Sequence, residues 1–280
     1  MNETVIRFDC HGDQLIGILH SSPTVYKNLG VVIVVGGPQY RVGSHRQFTI
    51  MARDFAAAGY PTLRFDYRGM GDSEGEFKGF ECIDDDIDAA ISALLREESG
   101  LDGIVLWGLC DAASACLIYG NKKDERVKGM ILANPWVRTV SGEAKAYLKH
   151  YYLKRIFQKS FWDKVFFGSS DLSVMVSDLK TTVQSVFLKN NGSKITRSFL
   201  DKMIKGIEAF NSPILLLISG NDLTAQEFIG LKQSEKKWSN ILDEGQIEWF
   251  FMDDADHTFS SHGDLCCVMS RCTEWLSDKY

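Results

Sequence analysis

The sequence predicts an α/β domain: a mostly parallel, twisted sheet with helices on both faces and one helical insertion. Three observations carry this expectation. Two short segments of alternating apolar residues open the chain, Val-rich runs of strand length then alternate with amphipathic stretches, and one long helical interval breaks the alternation. At 280 residues the chain is long enough for one large domain with a sizeable core.

The first elements are a pair of strands. Residues 4–8 and 15–20 alternate apolar and polar side chains, which reads as an antiparallel hairpin. Residues 31–35 form an apolar run short enough for a buried strand. A helix is expected over 44–58, ending at Gly59, and then a strand over 61–65. Over 80–96, Ile83, Ile87, Ala90, Ile91 and Leu94 fall on one helical face. A strand at 103–107, a helix after Cys110 and a strand at 130–133 complete the first half. Beyond the interval come a strand at 214–218, a helix at 225–238, a strand at 247–252 and a last helix at 264–277.

The interval 138–211 is helical in pattern, as in 146–157 and 199–210, and lies between two core strands. It is expected to be a lid over the carboxyl ends of the strands, where open α/β sheets bind ligands. The core would then be 1–137 with 212–280. The insertion holds 13 Lys and Arg against 6 Asp and Glu, a charge of +7, whereas the remainder holds 18 against 31, or −13. A solvated amphipathic surface accounts for this. So does attraction of an anionic substrate or carrier, such as a phosphopantetheine-bearing thioester or an anionic lipid.

Composition excludes several classes. Hydrophobic content of 45% and charged content of 24% are those of an ordinary soluble globular protein, and a net charge of −6 speaks against a nucleic-acid partner. The seven cysteines include no C-x-x-C pair, and Cys266 and Cys267 are adjacent, so the expectation is a reducing cytoplasm rather than a disulfide framework. No apolar run approaches the roughly 18 residues that span a bilayer, so no membrane span is expected. His, Cys, Asp and Glu show no metal-ligand spacing, so neither metal nor cofactor is expected.

Chemistry concentrates at Cys110. Gly103-Ile104-Val105-Leu106-Trp107-Gly108-Leu109-Cys110-Asp111-Ala112 reads as a buried strand, a sharp turn and a helix start, with small residues two before and two after the cysteine. That is the pattern G-x-S-x-G with Cys for Ser and Ala for the last Gly, the turn that exposes a nucleophile at a strand end. A buried free Cys is the plainer reading of such a residue. The order of the other candidates favours the nucleophile. Asp222 follows the strand 214–218, where an acid can orient a histidine, although Asp is also a favoured helix cap. His257 follows the strand 247–252. Nucleophile, acid and His in that order, each past a sheet strand, match a hydrolytic triad. His262, five residues on at the start of the last helix, is badly placed. Gly36-Gly37-Pro38-Gln39 follows the third strand and would supply one oxyanion-hole amide, from Gly37, or from Gln39 if the turn is longer, since Pro38 has no N–H. The second amide would be that of Asp111. Asp66-Tyr67-Arg68-Gly69-Met70-Gly71-Asp72-Ser73 reads as a tight turn in which Asp and Arg pair as a brace.

That last segment resembles the D-x-R-G-x-G-x-S run widespread in α/β-hydrolases. Residues 36–48 and 107–115 together with Asn134-Pro135-Trp136-Val137-Arg138-Thr139 resemble, more narrowly, the exosortase A system-associated hydrolases of type 1. The resemblance spans nearly the whole chain and is weakest in the insertion. It implies an α/β-hydrolase fold with an inserted lid, a bacterial setting with exopolysaccharide and protein-sorting systems, and a triad of Cys110, Asp222 and His257. Dienelactone hydrolases also resemble the chain in a Cys-His-Asp set. Cys110 for Ser and Ala112 for Gly are the departures. Three functional readings are open: an acyl hydrolase of thioesterase or carboxylesterase type, an acyltransferase using the same acyl-cysteine, and a noncatalytic binding protein on the same scaffold.

Overall fold

The computed structural model describes residues 2–22, 27–37, 39–137 and 192–280, with the side chains of 192–198 excepted. The chain divides into two compact units, Met1–Val137 with Asp201–Tyr280, and Arg138–Leu200. Nearly all of the second unit, including the helix expected at 146–157 and most of the expected lid, lies outside the described residues. The boundary expected at 212 falls at Asp201 instead. Residues from Asp201 onward group with the first unit, tied there by Lys202, whose Nζ meets Glu81 at 3.2 Å and whose carbonyl accepts from Asn121 at 3.0 Å.

Eight strands are described: β1 (Asn2–Cys10), β2 (Asp13–Ser21), β3 (Leu29–Val34), β4 (Thr62–Asp66), β5 (Gly103–Leu109), β6 (Val127–Ala133), β7 (Ile214–Ser219) and β8 (Ile247–Met252). They form one sheet in the order β1-β2-β4-β3-β5-β6-β7-β8. The pairings β1–β2 and β2–β4 are antiparallel and all others parallel. Strands β3, β4, β5 and β7 are buried at every residue, which is why β3, β5 and β7 read as nearly continuous apolar runs, whereas β4 alternates Leu63 and Phe65 with the buried polar residues Thr62, Arg64 and Asp66. At the β8 edge the pattern relaxes and Phe251 is exposed.

The described helices are α1 (Gln47–Ala57), α2 (Asp84–Glu97), α3 (Asp111–Tyr119), α4 (Gly192–Ala209), α5 (Leu223–Ser234), α6 (Lys236–Leu242) and α7 (His262–Lys279). The helix expected over 225–238 is two helices, because Glu235 takes an extended conformation, φ −118° and ψ 114°, between them. Both α1 and α2 begin three to four residues later than the periodicity implied, each after a short 3-10 turn, at Ser44–Arg46 and Phe80–Cys82. One face of the sheet packs with α1 and α7 into a core that includes Phe48, Phe55, Trp107, Trp275 and Leu276; the Phe48 and Trp107 rings meet edge to face at 5.6 Å.

Strand register aligns the carboxyl ends of the parallel strands. Val34 pairs with Gly108, Leu109 with Ala133, Ala133 with Leu217, and Ser219 with Met252. These strands therefore end side by side, and the loops after β3, β5, β6, β7 and β8 emerge at one edge of the sheet.

Candidate active site

Cys110 occupies the junction between β5 and α3 with φ 62° and ψ −125°, a backbone conformation that a residue with a Cβ adopts only under strain. The surroundings over-determine it. Its N–H donates to Ala133 O at 2.9 Å, and its carbonyl accepts from Trp136 N at 3.1 Å and Ser114 N at 3.3 Å. A Cβ on Gly108 would lie 2.8 Å from the Ala112 backbone, so the position two before the cysteine admits no side chain. Ala112, two after it, is accommodated and fully buried, so alanine serves where the pattern has glycine.

Asp222 lies three residues past the end of β7 and caps the start of α5. Its carboxylate accepts the Thr224 and Ala225 N–H groups, each at 3.1 Å, as a helix cap does. It also meets His257 Nδ1 at 2.8 Å. Capping and orientation, alternatives in the sequence, are both present. The Cys110 side chain lies close enough to His257 to act on the charge of its ring. The bond to Asp222 first, and the neighbouring Cys110 side chain second, raise the imidazole pKa to about 10 against the opposing effect of burial. The three residues, 112 and 35 positions apart in sequence, form one connected set. His262 begins α7 and contacts Cys266 at 3.6 Å, apart from that set.

Two groups near this set were not legible as functional. Asn134, fully buried and at φ 45°, donates from Nδ2 to Ser219 Oγ at 2.9 Å and to the His257 carbonyl at 3.1 Å, while its Oδ1 accepts from Ser219 N at 2.8 Å. It locks the ends of β6 and β7 to the histidine loop. Beside the thiol lies a cavity of about 140 Å³ lined by Phe80, Cys110, Asp111 and Trp136. The Phe80 and Trp136 rings meet edge to face at 5.4 Å. Ser114 Oγ donates to the Trp136 carbonyl at 2.6 Å, which holds that wall to α3.

The expected amide pair is altered by a side chain. The Gly37 N–H donates at 2.6 Å to Oδ1 of Asp111, and the Ala112 and Asp111 N–H groups favour the charge of that carboxylate. Gln39, the other candidate after β3, receives the Ser44 N–H on its Oε1 at 3.1 Å.

The turn after β4 is braced differently from the expectation. Asp66 and Arg68 do not pair with each other. Arg68 makes a forked pair with Asp86 of α2, at 3.0 and 2.8 Å, while Asp66 and Asp72 both hold Arg41. Arg41 follows Gly37 by four residues, so this network fixes the loop carrying the Gly37 amide.

Comparison with known proteins fits this geometry. Residues 31–149 match the family described as alpha/beta hydrolase fold. The fold is that of the α/β-hydrolases. Solved structures agree over nearly the whole chain at low identity. The Pyrococcus furiosus esterase Pf2001 superposes with a TM-score of 0.65 at 14% identity, covering 99% of this chain and 93% of its own. Est1E from Butyrivibrio proteoclasticus, solved with ferulic acid, gives 0.64 at 13%, covering 98% of each chain. A thermostable carboxyl esterase from Bacillus coagulans gives 0.64 at 13%, covering 100% and 99%. No curated protein matches the sequence. Among the described residues, no helix of this α/β-hydrolase fold is long and apolar enough to cross a membrane.

Proposed function

We propose that this protein is an acyl hydrolase, of thioesterase or carboxylesterase type, in which Cys110 is the nucleophile, His257 the acid–base and Asp222 the group that orients the imidazole. The observation that carries the reading is His257 itself, bonded to a buried carboxylate on one side and influenced on the other by the thiol at the strained strand–helix turn. The motifs at 36–48, 107–115 and 134–139 support placing it with the exosortase A system-associated hydrolases of type 1.

The reaction runs in two displacements. The sulfur of Cys110 attacks the acyl carbon, a C–S bond forms, and the carbonyl π pair moves to oxygen. As the intermediate collapses, the bond to the alcohol or thiol breaks with its electron pair, and His257 supplies the proton that the departing group takes. Because the imidazole holds its proton up to a pKa of about 10, that proton is in place across the neutral range. Water, deprotonated by the now neutral His257, then attacks the acyl-cysteine and releases the acid, and the Cys110 sulfur leaves. Oxyanions formed in both halves need amide donors, and the Gly37 and Asp111 N–H groups are the candidates. Thioesters and activated esters suit this chemistry better than amides, because a thiolate is expelled more readily than an amine and the amide intermediate reverts. The aromatic cavity of about 140 Å³ beside the thiol is of a size for a short acyl or small aryl group.

The test is intact-mass spectrometry after exposure to a panel of acyl thioesters and p-nitrophenyl esters, with Cys110→Ala alongside. The expected result is an acyl adduct on the wild type, absent from Cys110→Ala, that water discharges. An adduct that persists until an amine or alcohol is added would move the assignment to acyl transfer. No adduct with any donor, and no turnover, would leave the binding-protein reading in its place.

A further inference from the structure

We propose that the carboxylate of Asp111 is a built-in occupant of the oxyanion hole, and that it sets which acyl donors this site accepts by competing with their carbonyl oxygen. The inference rests on Cys110 being the nucleophile.

Geometry carries it. Asp111 is the residue directly after the nucleophile, the position whose backbone N–H is one hole donor in this architecture. The second donor comes from the loop after β3. Here that loop's Gly37 N–H, 74 residues away in sequence, is taken at 2.6 Å by Asp111 Oδ1. The Asp111 and Ala112 N–H groups at the start of α3 lie close enough to favour the charge of the same carboxylate. An oxyanion on a tetrahedral carbon bound to Cys110 would seek the Gly37 and Asp111 amides, and a side-chain oxygen of matching charge already holds the first of them.

The chain makes room for this arrangement. Any Cβ on Gly36 would collide with Asp111 Oδ1 and would lie 2.6 Å from the Leu109 carbonyl. The absent side chain at 36 thus leaves the space into which the carboxylate reaches. An ordinary helix-start aspartate satisfies only amides of its own first turn. This one bridges to a separate loop and lines the cavity that contains the thiol. Burial holds its carboxyl above the usual aspartate range, opposed by the three amides and by His257.

The consequence is a site that resists acylation more than it resists other reactions of its thiol. Attack on a carbonyl needs the hole. Displacement of iodide from iodoacetamide, in which the Cys110 sulfur forms a C–S bond as the C–I pair leaves with iodide, develops no oxyanion. The ratio of the two rates at Cys110 therefore isolates the hole from any general change in thiol reactivity. Removing a single hole donor costs an acyl-transfer enzyme about 10²–10³ in rate, so releasing the Gly37 amide is expected to recover a sizeable part of that, about tenfold or more.

The experiment measures both rates by intact mass on wild type, Asp111→Ala and Asp111→Asn, with p-nitrophenyl acetate as acyl donor and iodoacetamide as alkylating agent. Cooperative thermal unfolding of each protein is recorded alongside. The expected result is a ratio of acylation to alkylation at least about tenfold higher in Asp111→Ala, with Asp111→Asn between it and the wild type, since the amide oxygen still reaches Gly37 without the charge. Should Asp111→Ala not fold, a rise in Asp111→Asn alone carries the test. A ratio that is unchanged or lower while acylation proceeds overturns the inference and leaves the nucleophile assignment standing. Alkylation of Cys110 with no acylation in any of the proteins overturns both.

Discussion

Asp222 and His257 share one carboxylate oxygen with a helix: Oδ2 of Asp222 meets His257 Nδ1 at 2.8 Å and accepts the Ala225 N–H at 3.1 Å. The rigid start of α5 therefore fixes the acid, and the acid fixes the imidazole. The two duties separate by substitution. Asn at 222 keeps an oxygen for the cap but loses the charge that favours the protonated ring. Ala loses both. Asp222→Asn is expected to slow acylation of Cys110 by about 10²–10⁴ with little change in unfolding free energy. Asp222→Ala is expected to cost a further ~1 kcal/mol of stability through the lost cap. Equal stability of the two variants, measured by urea unfolding, would mean that the cap contributes nothing.

The pH dependence comes from the same contact. A raised pKa means that the His257 ring is protonated below about 10 and loses its proton as pH rises through that value. Acylation by an ester needs that proton for the leaving group, so its rate should fall on the alkaline side near pH 10. Alkylation by iodoacetamide needs none and should not fall there. Because the bond to Asp222 is the largest cause of the shift, Asp222→Asn should move the alkaline limb toward neutrality. A limb that stays in place in Asp222→Asn would assign it to another group.

Much of this site was legible in the sequence. Cys110, Asp222 and His257 each follow a strand of the parallel sheet, and chain order plus residue type suffices when the register brings strand ends together. Helix ends were less legible. The first turns at Ser44–Arg46 and Phe80–Cys82 are 3-10, and Glu235 breaks a helix that apolar spacing alone would continue. The Arg68–Asp86 fork joins a turn to a helix 18 residues later, beyond the reach of local pattern. Side-chain destinations were least legible. Reading Asp111 for its N–H said nothing of where its carboxylate goes, because a carboxylate's direction is set by tertiary neighbours. Gly36 beside Gly37 was the available signal, a second small residue with no turn requirement of its own. Asn134 left only the trace of an Asn-Pro pair after β6.

A second pH effect should appear in stability. His20 of β2 is fully buried, and its Nε2 accepts from Arg64 Nε of β4 at 2.9 Å. Its Nδ1 has no hydrogen-bond partner, with Glu3 of β1 at 3.8 Å and itself bonded to Arg53 of α1 at 2.6 Å. Burial first, then the Arg64 charge, lowers the His20 pKa to about 4. Between that value and the ordinary 6.5 the unfolded chain binds a proton that the folded chain refuses, so stability falls as pH drops through this window. At about 1.4 kcal/mol per unit, the loss should reach roughly 2–3 kcal/mol by pH 4. His20→Gln keeps an acceptor for Arg64 and removes the titration. Urea unfolding at pH 7 and pH 4.5 should show a smaller difference for His20→Gln than for the wild type; an equal difference would place the acid sensitivity elsewhere.

Strain at Cys110 gives the last prediction. At φ 62° and ψ −125°, Cys110 holds its Cβ in a region that favours glycine. Residues so placed cost about 1–3 kcal/mol, supplied here by the hydrogen bonds to Ala133, Trp136 and Ser114 that clamp the turn. Cys110→Ala removes the sulfur and keeps the strain, whereas Cys110→Gly removes both. Neither forms an acyl adduct, but they should differ in stability. Cys110→Gly is expected to be about 1–2 kcal/mol more stable than Cys110→Ala in urea unfolding, the reverse of the usual order for glycine against alanine. If alanine proves the more stable, the turn stores no strain through the Cβ, and the exposure of the thiol must be attributed to the clamping bonds alone.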